Sequence, residues 1–262
     1  MTPQQAIAEA AARLSTAGVD TPRVDAEWLV AHVLGVPRSR LHDAADVDAA
    51  RLEPLLRRRE AREPLAYVLG EWGFRRLTLQ TDRRALVPRP ETETLVGRAL
   101  ELIEDVDDPR VLDIGVGGGA IALAIKDERP RARVTGVDTS AEALELAREN
   151  AAMLGLDVDL RAGTVGVAAE GWDLVVANPP YVAGHELPAL QPELHWEPRE
   201  ALVGSGFHSE IARLADTRAI AFEVADGEAH AVAASLAELG YERITITRDL
   251  AGTERVVDGR SR

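Results

Sequence analysis

Cysteine is absent from this chain of 262 residues, and several other scarcities each exclude a class of protein. Without cysteine there is no disulfide, no thiolate nucleophile and no cysteine-based zinc or iron–sulfur site. Lys126 is the only lysine, so a Schiff-base mechanism has one candidate, which lies in a charged helical context. No apolar run approaches the roughly 18 residues of a membrane span, and residues 1–14 lack the pattern of a secretory signal. The sequence therefore predicts a soluble, cytoplasmic protein with no membrane partner.

Basic residues are also scarce relative to acidic ones. The chain has 30 Lys and Arg against 44 Asp and Glu, which gives a net charge of −14 at pH 7. Because affinity for duplex nucleic acid comes largely from neutralised phosphates, this balance disfavours nucleic acid as a direct partner. The 6 histidines show no mutual spacing typical of a ligand set, so no metal is expected.

Helical periodicity dominates the first part of the chain. Apolar residues recur at helical spacing up to about residue 62, which predicts a small helical domain over residues 1–65. Between Ala66 and Pro88 the period changes to that of strands, starting with Tyr67-Val68-Leu69, and predicts a β-hairpin linker over residues 66–90.

Strands and helices alternate over residues 91–262. This alternation favours a parallel sheet with helices on both faces. Two final strands, near 241–247 and 255–257, are joined by a short link and so predict an antiparallel hairpin at the sheet edge. The predicted fold class is α/β: a doubly wound, mostly parallel sheet with a C-terminal antiparallel hairpin and a small N-terminal helical domain.

A glycine-rich turn follows the first strand of this alternation. Its residues, Gly115, Val116, Gly117, Gly118 and Gly119, open a helix at a point where the backbone can approach a ligand without obstruction by a Cβ. Asp138 ends the next strand, where a carboxylate can accept hydrogen bonds from two ribose hydroxyls. The pattern predicts a nucleoside-containing cofactor, and both NAD and S-adenosylmethionine fit it.

A second motif, Asn178-Pro179-Pro180-Tyr181, follows an apolar strand and lies at the same sheet edge as the glycine turn. A planar amide or exocyclic amine has a delocalised nitrogen lone pair, so it must be aimed rather than deprotonated. The Asn178 side-chain oxygen and the Pro179 carbonyl can accept the two N–H bonds of an NH₂ group, and Tyr181 can stack on the planar group. The motif therefore points to methyl transfer onto such a nitrogen.

These motifs together resemble the class I S-adenosylmethionine-dependent methyltransferases that act on amide or amine nitrogen. Further segments narrow the resemblance to the peptide chain release factor glutamine methyltransferases. These segments are Glu63–Tyr67, Leu69–Glu71, Leu86–Glu93, Glu197–Arg199, Ala201–Leu202, Asp249–Gly252 and Arg255–Val257. The resemblance runs from the N-terminal helices to nearly the last residue.

The resemblance implies an enzyme with a Rossmann-like catalytic domain. It would transfer a methyl group from S-adenosylmethionine to the glutamine side-chain amide in the Gly-Gly-Gln motif of release factors, as a monomer whose N-terminal helices dock the substrate. The implied cofactor contacts are Gly115, Val116, Gly117, Gly118, Gly119, Asp138, Val165 and Asn178. The implied catalytic residues are Asn178, Pro179 and Tyr181, and Pro180 completes the substrate pocket.

Two segments depart from the family pattern. Gly163-Thr164-Val165 stands where an acidic residue is usual, which predicts weaker cofactor affinity because a charge-assisted hydrogen bond to the adenine is lost. The segment 203–222 is shorter than usual, so substrate choice can differ. The alternatives are a site of the same type acting on another protein glutamine or on a nucleobase amine, and a binding module that has lost catalysis.

Overall fold

The computed structural model of the protein describes residues 1–261, in which helices come first and a sheet follows. Two compact units divide these residues. The helical unit comprises Met1–Glu71 together with Leu190–Trp196. The sheet unit comprises Trp72–Ala189 and the described residues from Glu197 onward. The division into residues 1–65, 66–90 and 91–262, with the roles attached to it, stays a prediction.

Four α-helices build the helical unit. Thr2 and Gln5 form a reciprocal capping box that starts the first helix by satisfying backbone N–H groups. Gly35, with φ +65°, ends the second helix in the left-handed conformation that glycine adopts without steric cost. The helices are α1 (Pro3–Thr16), α2 (Pro22–Leu34), α3 (Ala49–Glu60) and α4 (Leu65–Leu69), with short 3₁₀ helices at Arg38–Asp43 and Pro192–Trp196.

The strand predicted at Tyr67-Val68-Leu69 is wrong, because these residues belong to α4. Pro64 precedes this helix and Gly70, with φ +78°, ends it. A continuous apolar run has the same appearance in a buried helix and in a buried strand, so periodicity did not separate the two. The flanking proline and glycine were the better signal, since they are typical of helix boundaries.

In the described residues, nine strands form two sheets, and six α-helices accompany the large one. Strands β1 (Glu71–Phe74) and β2 (Leu77–Gln80) pair with each other. The large sheet contains β3 (Arg110–Ile114), β4 (Arg133–Asp138), β5 (Asp159–Ala162), β6 (Trp172–Ala177), β7 (Thr217–Glu223), β8 (Glu242–Arg248) and β9 (Glu254–Arg260). The helices are α5 (Thr92–Leu102), α6 (Ala120–Glu128), α7 (Ala141–Leu154), α8 (Arg199–Leu202), α9 (Phe207–Leu214) and α10 (Ala229–Glu238), with 3₁₀ helices at Val165–Glu170 and Leu187–Ala189.

The large sheet has the order β5-β4-β3-β6-β7-β9-β8. Its first five strands are parallel, whereas β9 is antiparallel to both β7 and β8. The predicted doubly wound sheet with a C-terminal antiparallel hairpin is confirmed. Strand order reverses between β3 and β6, and ligands of such sheets bind beyond the carboxyl ends of the strands at this switch point.

Apolar layers cover both faces of the large sheet. Side chains alternate along β6, so that Leu174 and Val176 join one buried cluster while Val175 and Ala177 join the other. Helix α5 packs on the first cluster through Leu95. This alternation places the residue after Ala177 on the same face as α5. Within residues 1–261, no helix is both long and apolar enough to cross a membrane.

Candidate active site

The glycine turn connects the end of β3 to the start of α6. The N–H groups of Gly115 and Val116 both donate to the Val137 carbonyl, at 2.8 and 3.0 Å, which ties the turn to β4. Gly119 has φ +93°, and a Cβ there would lie 2.8 Å from a Leu123 methyl carbon. Only glycine fits this position without displacing the first turn of α6.

Asp138 closes the turn from the side of β4. Its Oδ2 accepts a hydrogen bond from the Gly117 N–H at 2.9 Å, and its Oδ1 accepts one from the Ser140 N–H at 2.9 Å. A carboxylate has about four lone-pair positions, so two acceptor positions stay free beside the turn. The predicted ribose contact is compatible with this geometry and stays a prediction.

Asp113 lies beneath the turn and is completely buried. Its Oδ2 accepts a hydrogen bond from the Ala122 N–H at 3.1 Å, whereas its Oδ1 has no partner among residues 1–261. Burial raises the pKa of Asp113 to about 7, the nearby charge of Asp138 adds to this effect, and the Ala122 hydrogen bond opposes it. A carboxyl group that titrates near neutral pH thus lies directly under the turn.

A cleft of about 570 Å³, counting its opening to solvent, lies between the glycine turn and the segment after β2. Asn178 and Arg89 contribute to its wall. Other lining residues include Gln80, Thr81, Leu86, Val87, Pro88, Thr92, Gly115, Val116, Gly117, Gly118, Leu146 and Asn150. The glycine turn, Asn178 and several apolar residues therefore line one cleft that opens to solvent, as in sites for small cofactors.

Asn150 fixes the wall of this cleft. Although it lies within α7, its side chain is fully buried. Its Nδ2 donates to the carbonyls of Gly118, at 2.9 Å, and Gln80, at 3.2 Å, and its Oδ1 accepts from the Gln80 N–H at 2.7 Å. The motifs of the sequence did not point to this residue. A lone amide on the apolar face of a helix was the signal that could have identified it.

Asn178 follows β6, and the two prolines after it lead into a loop. Its Nδ2 donates to the Thr92 hydroxyl at 3.4 Å. Pro179 is buried, and Pro180 and Tyr181 are half-buried. Burial raises the pKa of the Tyr181 hydroxyl, and the charge of Glu223 adds to this effect, so the phenol is neutral at physiological pH. The motif thus presents an amide and a neutral phenol.

The loop is held in place by backbone contacts. The Val182 N–H donates to the Leu202 carbonyl at 2.9 Å, and the Gly204 N–H donates to the Val182 carbonyl at 3.2 Å. A Cβ at Gly204 would lie 2.9 Å from both Cγ and the carbonyl oxygen of Pro180. The segment after α8 therefore packs directly against the second proline of the motif.

Glu197 anchors the segment that forms the opposite wall. Its carboxylate accepts hydrogen bonds from the Val87 N–H, at 3.0 Å, and from Arg89. Burial raises the pKa of Glu197, although Arg89 opposes this effect. Further along, Glu93 accepts from the Arg75 N–H at 2.8 Å, which links α5 to the β1–β2 turn.

The residues of the cleft fit S-adenosylmethionine. Asp138 holds the Gly117 N–H and keeps acceptor positions for hydroxyl groups beside the turn. The Asp113 oxygen that has no partner within residues 1–261 lies buried beneath the turn and does not line the cleft. Gly115 to Gly118 line the cleft, whereas Gly119 supports α6. Val165 begins the 3₁₀ helix after β5 and packs against the apolar cluster that contains Val137. Its predicted cofactor contact stays a prediction.

Metal ligands are a separate question. Within the described residues 1–261, no three His, Asp or Glu side chains are grouped so that they could hold a metal ion. The sequence-based expectation that the protein needs no metal stays a prediction.

Fold and site together define a methyltransferase of the Rossmann-like class. Residues 97–209 match the model of the methyltransferase small domain, and residues 5–70 match that of the PrmC N-terminal domain. The fold resembles the T. thermophilus 16S rRNA methyltransferase solved with AdoMet and guanosine, with a TM-score of 0.54 and 17% identity over 73% of this chain and 50% of that one. At this identity the likeness concerns the fold alone.

Curated relatives specify the family. The release factor glutamine methyltransferase of Deinococcus radiodurans is 42% identical over 97% of this chain and 96% of its own length. That of Vibrio cholerae is 38% identical over 99% of this chain and 96% of its own length. The chain belongs to the release factor glutamine methyltransferases, enzymes that use S-adenosylmethionine as methyl donor. The resemblance drawn from the sequence is confirmed.

Proposed function

We propose that the protein methylates the glutamine side-chain amide in the Gly-Gly-Gln motif of release factors, as a cytoplasmic monomer with no direct nucleic-acid partner. The observation that carries this proposal is the position of Asn178, which lines the same cleft as the glycine turn at the switch point of the sheet. A planar amide held there would lie beside the predicted cofactor site.

In the proposed reaction, the chain's own residues orient the glutamine amide. Asn178 Oδ1 and the Pro179 carbonyl accept its two N–H bonds, which directs the nitrogen lone pair away from them. The neutral Tyr181 ring covers the planar group, and the adjoining backbone excludes water. When bound, S-adenosylmethionine supplies a methyl group activated by a positively charged sulfur. Positioning in a dry site can contribute on the order of 7–11 kcal/mol to lowering such a barrier.

The helical unit has a different proposed role, which is to dock the release factor. A family model of its own matches residues 5–70, so these helices are characteristic of the family. The net charge of −14 supports a protein partner rather than a nucleic acid.

A methyl-transfer assay tests the proposal directly. Labelled S-adenosylmethionine and a purified release factor are incubated with the wild-type protein, with Asn178→Ala, and with a substrate whose motif glutamine is changed. We expect label only with the wild-type enzyme and the intact glutamine, with at least a 100-fold loss in Asn178→Ala, because misplacing a reacting group by about 1 Å can cost that much.

Two other outcomes have clear meanings. Label that persists on the changed substrate would overturn the proposed acceptor. Measurable cofactor binding without any transfer would direct the search to another protein glutamine or to a nucleobase amine. The proposed monomeric state is tested separately, by size-exclusion chromatography with light scattering.

A further inference from the structure

Asn178 and Glu223 end neighbouring strands at the same edge of the sheet. Strands β6 and β7 are parallel, and their register pairs Ala177 with Phe222. The next residues along each strand, Asn178 and Glu223, therefore lie side by side beyond the last pair. Val176 and Ala221 belong to the cluster on the α5 face, so side-chain alternation places both polar residues on that face as well.

Thr92 lies between these two side chains. It is the first residue of α5 and is buried. Its hydroxyl accepts from Asn178 Nδ2 at 3.4 Å, and it lies close enough to the Glu223 carboxyl to favour its ionised form. A helix start and two strand ends thus connect the amide of the candidate catalytic residue to a buried carboxyl group.

The number of protons available decides which group donates and which accepts along the series Asn178, Thr92 and Glu223. A threonine hydroxyl has one proton to donate and lone pairs to accept with. If the proton goes to an ionised Glu223, Thr92 can only accept from Asn178. The amide must then face Thr92 with its NH₂ group, which leaves Oδ1 free on the other side. A reversed amide would present two N–H donors to the N–H donors of a substrate amide.

The packing of the sheet does not explain why a carboxyl group is buried at position 223. It is 2% exposed, and its Oε2 has no hydrogen-bond partner in the described part of the chain. A buried carboxyl group with an unpaired oxygen costs free energy, so its presence beside a candidate active site points to a role in that site.

We propose that Glu223 is a positioning residue that acts through the Thr92 hydroxyl to fix which end of the Asn178 side-chain amide faces the substrate. The proposal rests on the proposed role of Asn178 as acceptor for the glutamine amide. Glu223 itself does not touch the substrate in this scheme.

The ionisation of Glu223 adds a pH dependence. Burial raises the pKa of Glu223 to about 7, Thr92 and the positive charge of Arg255 oppose this effect, and the charge of Glu91 adds to it. Protonated Glu223 can donate to Thr92, which then can donate to Asn178 Oδ1 and stabilise the reversed amide. The other charged or titratable groups around Glu223 are Arg89, Tyr181 and His208, whose Nε2 hydrogen-bonds with the Glu223 carbonyl at 2.9 Å.

The first test compares variants of Thr92. Thr92→Val keeps the shape of the side chain and removes the hydroxyl, so kcat for release factor methylation is expected to fall on the order of tenfold, with KM for S-adenosylmethionine within twofold of wild type. Thr92→Ser restores the hydroxyl and is expected to restore kcat to within about threefold of wild type. Thr94→Val, a half-buried threonine on the same helix, is the matched control and should leave kcat unchanged.

The second test uses the pH profile. Wild-type kcat should fall as the pH drops through about 7, whereas Glu223→Gln, which cannot ionise, should lose this limb. If Asn178→Ala abolishes transfer but Thr92→Val has wild-type kcat, or if Glu223→Gln retains the limb, the positioning role is wrong while the proposed function stands.

The third test does not need activity. In NMR titrations of the whole protein, the Asn178 side-chain NH₂ shifts should follow the titration of the Glu223 carboxyl in wild type and should lose this dependence in Thr92→Val. Asn178 shifts that ignore the Glu223 titration would overturn the inference even if the substrate proved to be something other than a release factor.

Discussion

The buried charged groups of the helical unit all form ion pairs, whereas the sheet unit contains buried carboxyl groups with and without such a partner. Its paired ones are Glu197, Asp249 and Asp258, which bind Arg89, Arg255 and Arg98 respectively. In the helical unit the buried Arg59 donates to Asp25 at 2.7 Å and to Glu193 at 2.7 Å, and the buried Glu63 pairs with Arg58. In the sheet unit, Asp113 and Glu223 are buried and each has an oxygen without a partner in the described residues.

This difference separates structural charges from candidate functional ones. Completed ion pairs fix the arrangement of helices, and Arg62 extends the network with two further hydrogen bonds to Glu193, each of 2.7 Å. Asp113 and Glu223, by contrast, are buried near the carboxyl ends of their strands, beyond which ligands of this fold bind. Whether a buried charged group has partners therefore says more about its role, structural or functional, than its burial alone.

The largest expected effect comes from breaking the ion-pair network of the helical unit. Asp25→Ala leaves a buried guanidinium without one partner, which should lower the free energy of unfolding by about 3 kcal/mol. Urea unfolding measures the loss, and amide hydrogen exchange should locate it in α2 and α3. Asp108→Ala, which removes an exposed pair with Arg131, is the control and should cause no measurable change. Equal effects of the two variants would contradict the structural role of the buried network.

The second, smaller effect is a pH dependence of the free energy of unfolding, which should have opposite signs for Asp113 and for the ion pairs of the helical unit. The raised pKa of Asp113, about 7, means that the folded protein binds this proton more tightly than the unfolded chain does. Stability from this group is therefore highest at low pH and falls as the pH rises from about 4 to 7. Between pH 5 and pH 7 the loss should be on the order of 2 kcal/mol, and Asp113→Asn should remove it. Urea midpoints at both pH values measure the change, and an unaltered slope in Asp113→Asn would refute the assignment.

The helical unit should respond to acid in the other direction. Hydrogen bonds from Arg13 and then Arg57 lower the pKa of Glu53 to about 2. Burial opposes the ionisation of Glu193, but hydrogen bonds from Arg62 and Arg59 outweigh it and lower its pKa too. Such groups stabilise the fold above their ordinary pKa, near 4.5, and lose this effect as the pH falls below it. Hydrogen exchange should therefore show that the helices carrying Glu53 and Glu193 lose protection between pH 5 and pH 3, and unchanged protection there at pH 3 would contradict the role of these ion pairs.

The sheet and the position of the two motifs at its edge could be predicted from the sequence, because each depends on local signals. A glycine-rich turn and Asn178-Pro179 each follow a strand, and parallel strands bring such ends to one edge. Periodicity was also sufficient for the alternating strands and helices, although it failed at Tyr67–Leu69, where the flanking Pro64 and Gly70 decide.

Features that depend on strand register or on distant segments could not be predicted in this way. Thr92 and Glu223 meet near Asn178 only because β6 and β7 pair in one register and α5 packs over them. Glu193 lies far from Arg59 in the chain, yet it belongs to the helical unit. An acidic residue directly after the apolar run 219–222 was a signal for Glu223, the last residue of β7, but nothing local showed that it would be buried.

The smallest effect concerns how the two units hold their loops. Where the helical unit uses ion pairs, the loop after Tyr181 is held by close backbone approach, with Pro180 against Gly204. Gly204→Ala places a Cβ 2.9 Å from the Pro180 carbonyl oxygen and 2.7 Å from Phe207 Cε2, so the loop must shift. Because Pro179 and Tyr181 move with it, kcat for methyl transfer should fall about fivefold, while S-adenosylmethionine binding by calorimetry stays within twofold. Gly184→Ala, whose Cβ would meet Val203 at an ordinary 3.6 Å, is the matched control and should retain full activity. Full activity in Gly204→Ala would mean that the loop can shift without loss of function. Methyl transfer would then depend on the Asn178 side chain and not on the close contact between Pro180 and Gly204.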